Sequence, residues 1–95
     1  MEIPAHLQST ASLINRAFPD GVQEPDYMPL LVVLYPHMSD ENLATIVSLL
    51  TGRDRGIVLN DVYAAGSGIN LESDVMAAVQ GRLKAAGFDQ WSQND

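Results

Sequence analysis

The chain has 95 residues, the size of one small domain and too short for two independent cores. Leu, Ile, Val and Phe supply 26 of them, which excludes intrinsic disorder, and the absence of cysteine excludes disulfides, thiol catalysis, Cys-ligated zinc and iron–sulfur clusters. A net charge of −7, from five basic and twelve acidic residues, argues against nucleic acid as a partner. No apolar run approaches the roughly 18 residues a membrane span needs, so no membrane role is expected.

Eleven Leu and ten Ala against six aromatics favour helix. The opening Met1-Glu2-Ile3-Pro4-Ala5-His6 has no basic region and no long apolar stretch behind it, so no signal peptide is expected and the default location is the cytoplasm. The first helical segment runs from about Pro4 to Phe18, with Pro4 suited to a first helical position. Ile3, Leu7, Ala11, Ile14 and Phe18 form its apolar stripe, and Pro19-Asp20-Gly21 ends it.

The second segment is expected over Asp26 to Tyr35, with Asp26 as N-cap and Pro29 at the third helical position. Tyr27, Leu30, Leu31 and Leu34 make one stripe; Met28, Val32 and Tyr35 make another on the opposite side. A buried strand is the rival reading of Leu30–Tyr35, disfavoured because strand partners elsewhere are scarce. The third segment has Ser39 as N-cap, Asp40 and Glu41 at the positive end of the dipole, a stripe of Leu43, Ile46, Val47 and Leu50, and Gly52 as its stop.

A fourth, short segment is expected over Asn60 to Ala65, capped by Asn60, with Leu59 and Ala64 as a hydrophobic staple. A fifth runs from about Leu71 to Ala86, capped by Asn70, with Val75, Val79, Leu83 and Ala86 buried and Arg82 and Lys84 near its end. Gly81 in its interior suggests close helix contact. Gly87 then stops it, and residues 89–95, polar except for Trp91, are expected to fray. The expectation is an all-α single domain over residues 1–88, a compact bundle of four to five helices, followed by a polar tail.

Three stretches carry a resemblance: Phe18-Pro19-Asp20-Gly21 through Pro25-Asp26-Tyr27-Met28-Pro29-Leu30-Leu31, then Met38-Ser39-Asp40-Glu41, then Arg82-Leu83-Lys84-Ala85-Ala86-Gly87-Phe88. Together the chain resembles the small actinobacterial, largely mycobacterial, domain-of-unknown-function family 3349 over nearly its whole length. The resemblance implies an all-helical single domain and no activity. Where it leads one to expect the second helix to continue with basic residues, this chain has Tyr35-Pro36-His37, which shortens that helix.

Tests for chemistry come out negative. Asp20, Glu24 and Asp26 do not fit a calcium loop, since Val22 falls at the third position and Gly at the second. His6 and His37 lack any paired metal-ligand spacing, and no nucleophile motif surrounds a serine. Asp40/Glu41 and Glu72/Asp74 are too close in sequence to face each other on a helix. An acyl-carrier reading fails for want of Asp-Ser-Leu. A helix-turn-helix reading fails because the link Gly52–Leu59 is eight residues and the fourth segment lacks Lys and Arg. No catalytic residue, cofactor or metal site is therefore assigned.

Two functional readings remain. The first is a non-enzymatic protein-interaction module, binding a protein partner or a second copy of itself through Met28, Val32 and Tyr35. The second is small-anion or nucleotide binding at the Arg53/Arg55 loop, with Arg53, Arg55 and the N–H groups at Asn60 as contacts.

Overall fold

Ser39 shows how local chemistry sets this fold. Its hydroxyl accepts from the Asn42 N–H at 3.1 Å, and thirteen residues later Gly52 takes the left-handed conformation, φ 76°, that closes the twelve-residue helix between them. The computed structural model describes residues 3–93 and contains six α-helices among them: α1 (Gln8–Ala17), α2 (Glu24–Leu34), α3 (Asp40–Thr51), α4 (Arg55–Gly66), α5 (Ser73–Ala85) and α6 (Phe88–Gln93). Single 3₁₀ turns at Ala5–Leu7 and Tyr35–His37 precede α1 and follow α2. No strand occurs among the described residues, so Leu30–Tyr35 is helical and turn rather than strand.

Most residues of the apolar stripes read from spacing form the core, while Ile3, Leu50, Val75 and Ala86 are only half-buried. Leu7, Ala11, Ile14 and Phe18 are buried, as are Tyr27, Leu30, Leu31 and Leu34 of α2, Leu43, Ile46 and Val47 of α3, and Val79 and Leu83 of α5. α2 is the hub: it packs on α4 on one side and on α5 on another, while α3 lies against α4 and α1 against α5. The radius of gyration of 12.2 Å matches the roughly 12 Å expected for a folded domain of this length.

Four boundaries differ from the sequence reading. α2 starts at Glu24, with Pro25 in the position that needs no N–H; Asp26 is its third residue and pairs with Arg82 of α5 at 3.5 Å instead of capping. Pro29 is thus the sixth helical residue, and the Pro25 carbonyl lacks its usual ladder donor. α4 starts at Arg55, not Asn60. Asp54 caps it, accepting from the Ile57 N–H at 3.2 Å, and Val58, Val62 and Ala65 are its buried stripe. α5 starts at Ser73 after an extended Glu72, so Asn70 is not its cap.

The fourth difference is the C-terminal segment. Residues 88–93 form α6, which docks on α1 and α5. Trp91 donates from Nε1 to Thr10 Oγ1 at 3.2 Å, and its ring packs beside Phe88 and His37, with centroids 5.7 and 6.0 Å apart. Residues 94–95 of the expected tail lie outside the described residues. Nor is Gly81 a contact point, since a Cβ there would meet open space; the close approach is at Gly66, where one would overlap the Tyr35 ring.

Candidate functional site

The face of α2 proposed from the sequence divides between two environments. Met28, Val32 and Tyr35 are all half-buried and pack against the core, so they do not form one open patch. Tyr35 leans over Gly66 at the end of α4. Val32 faces a groove between α2, α5 and α6, about 390 Å³ in volume, whose walls include Val33, Pro36, Met76 and Phe88. His37, Gln80, Lys84 and Asp89 supply its polar groups. Spacing pointed to Val32 but not to the opposite wall, which α5 and α6 supply.

The arginine loop folds into internal pairs. Arg53 bonds Glu24, and its guanidinium lies over the Tyr27 ring, 3.9 Å from the centroid. Arg55 donates from Nε to Thr45 Oγ1 at 3.0 Å and stands 3.8 Å from Glu41. Asn60 is an exposed residue in the interior of α4, where a backbone N–H belongs to the helix ladder rather than to a ligand. The three proposed anion contacts therefore do not converge on a free binding position. The α3–α4 link is three residues, Gly52 to Asp54, which corrects the eight-residue estimate and matches a helix-turn-helix spacing. α4 also begins with a cation that the sequence reading left out of it, Arg55, which is turned onto Thr45 and Glu41 of α3. The rest of its outer side offers Gly56, Ile57, Asn60 and Tyr63; Ile57 and Tyr63 are 56% and 53% exposed.

Behind Arg53 the Tyr27 hydroxyl donates to Asp61 Oδ2 at 2.7 Å, tying α2 to α4. Burial, and then the Asp61 carboxylate it bonds, push the Tyr27 phenol well above its ordinary value near 10. Because the folded-state value is raised, the native state holds this proton after the unfolded chain has released it. Its contribution is complete below pH 10 and falls, by up to about 1.4 kcal/mol per pH unit, as pH rises further. In urea titrations at pH 9, 10 and 11, the difference in stability between the native chain and Tyr27→Phe is expected to shrink over that range. A constant difference would remove this coupling.

A second concavity lies on the opposite side of His37, between the N-terminal turn with α1, the turn leading into α3, and α6. It is a cleft of about 510 Å³ with a mostly polar lining. His6, Ser9, Ser12 and Arg16 line one wall, His37 and Asn42 another, and Trp91 a third. The Arg16 Nε donates to the Ala86 carbonyl at 2.9 Å at the end of α5, and His6 Nε2 lies 3.4 Å from Asn42 Oδ1. Helical spacing alone does not bring these walls together: His6 and His37 are 31 residues apart in sequence, and Trp91 belongs to the stretch expected to fray. Among the described residues no three His, Asp or Glu side chains gather to hold a metal ion, and no helix is long and apolar enough to cross a membrane.

No protein-family model, curated protein or solved structure matches the chain.

Proposed function

We propose that the protein is a non-enzymatic interaction module that binds an amphipathic segment of a partner protein in the groove between α2, α5 and α6. The observation that carries this reading is the groove itself: an apolar floor of Val32, Val33, Met76 and Phe88 with Lys84, Gln80 and Asp89 beside it. Apolar anchoring within a polar rim is how helix-in-groove recognition works. The volume of about 390 Å³ suits a few anchoring side chains rather than a whole domain face. With a net charge of −7, the favoured segment has basic residues flanking its apolar anchors, and a second copy of this chain is the less favoured occupant because two such copies repel.

In this reading the protein acts in the cytoplasm, catalyses nothing and uses neither nucleic acid nor membrane. The family resemblance, to which we assign the chain as part of the same proposal, names no activity, so the groove alone supports the reading. The test is a pull-down from native extract with the intact chain, Val32→Asp and Met76→Glu, each variant first shown to melt cooperatively. A partner held by the intact chain and lost by both variants is the expected result. Undiminished capture by two folded variants would overturn the groove as the site. A dimeric mass by light scattering that Val32→Asp reduces to a monomer would make the second copy the occupant.

A further inference from the structure

We infer that the cleft between α1, the turn before α3, and α6 is a binding site for a small organic molecule carrying a phosphate group. The first argument is charge. The chain has twelve acidic and five basic residues, yet among the described residues no Asp or Glu lines this cleft, while Arg16 and both histidines do. In a protein so acidic, a large concavity lined by an arginine and by no carboxylate is the place suited to an anion, and clefts focus the field of the charges that line them onto ligands.

The second argument is where the other cations are used. Of the four other cations, Arg53 pairs with Glu24, Arg55 with Glu41 and Arg82 with Asp26, while Lys84 stands at the apolar groove. Arg16 has no carboxylate within ion-pair distance among the described residues; its Nε is fixed on the Ala86 carbonyl. That bond orients the guanidinium and leaves its terminal N–H groups as donors, and a guanidinium presented in a fixed plane matches the oxygens of a phosphate.

The third argument is the remaining donor set and the size. Hydroxyls of Ser9 and Ser12 follow Arg16 backwards along α1 at helical spacing, so three donors share one side of that helix. His6 on the same wall and Asn42 from across the cleft add donors. At about 510 Å³ the space exceeds what a bare ion fills and falls in the range of sites for small organic ligands. Trp91 and His37, with their rings inclined at 64° to each other, give it an aromatic wall, against which the organic part of the ligand packs while Arg16 and the serines hold the phosphate. This site shares only His37 with the apolar groove and does not rest on the interaction reading.

The test is an amide and indole chemical-shift titration of the full chain with inorganic phosphate, ribose 5-phosphate and ribose, at constant ionic strength against chloride. Ribose 5-phosphate is expected to shift the amides of Ser9, Ser12, Arg16 and Asn42 and the Trp91 indole in a saturable way. Inorganic phosphate should shift the α1 amides alone and bind more weakly, and ribose should shift neither. Arg16→Gln and Ser12→Glu should each weaken binding at least tenfold. Ser12 is exposed and in no contact that holds the fold, so its variant reports on the site even where Arg16→Gln loosens the end of α5. No saturable shift at 10 mM ribose 5-phosphate, shifts confined to the Arg53–Arg55 loop, or unchanged binding by folded Ser12→Glu would each overturn the assignment.

Discussion

Replacing Leu31 with alanine is expected to lower the unfolding free energy by about 3–4 kcal/mol, within the range for emptying a fully buried leucine site. Leu31 is wholly inaccessible at the centre of α2, the helix on which both α4 and α5 pack. A void there lies inside the hub helix of the core, and the helices packed on it are held in place by their other neighbours. Small domains have total stabilities of about 5–15 kcal/mol, so this one change removes a large share. For a chain of this length it corresponds to a fall in Tm of roughly 15 °C or more. Leu31→Met, which keeps the volume, should cost under about 1.5 kcal/mol. Calorimetry or urea denaturation of the two variants checks both values, and similar effects from the two would mean that burial at α2 is not what sets stability.

Trp91→Ala is expected to cost about 2–3 kcal/mol, somewhat less than a fully buried tryptophan because the ring is half-buried. The change removes the packing against Phe88 and His37 and the bond to Thr10, a buried hydroxyl that would lose its donor. Trp91→Phe keeps most of the ring contact and loses the indole N–H, so about 1 kcal/mol is expected from it. Trp91 is the single tryptophan of the chain, so its fluorescence follows the docking of α6 directly. A cooperative red shift at the same denaturant concentration as loss of helix by circular dichroism is expected. A shift preceding helix loss, or no stability change in Trp91→Ala, would mean that the segment is detached, as its polar composition alone suggests.

The helical stripes were legible because the burial that fixes them is local and periodic. Leu43, Ile46 and Val47, or Tyr27, Leu30, Leu31 and Leu34, fall on one side of any helix drawn through them, and all are buried. Caps were legible when one residue offered itself, as Ser39 did with Asn42. They were misread where two residues competed. Asn60 is as good a cap as Asp54 by residue type, but α4 starts early enough to turn Val58 inward. Asn70 looks like a better cap than Glu72, yet α5 starts only at Ser73. Asp26 has the chemistry of a cap and is used as an ion-pair partner because Arg82 of α5 lies beside it.

By itself, then, the sequence determined an all-helical acidic domain with its apolar stripes, most of its punctuation, and the exclusion of cysteine chemistry. Those properties depend on residue type and on separations of three to seven positions. The tertiary structure decided everything that depends on residues far apart in the chain. It placed Val32 opposite Met76 and Phe88 to make a groove, and it used Arg53 and Arg55 up on Glu24 and Glu41. It also folded Trp91 back onto Thr10, which closes a cleft around Arg16, His6 and His37. Helix periodicity says which side of a segment faces inward; only packing says which segment it meets, and that meeting sets which charges remain free to bind.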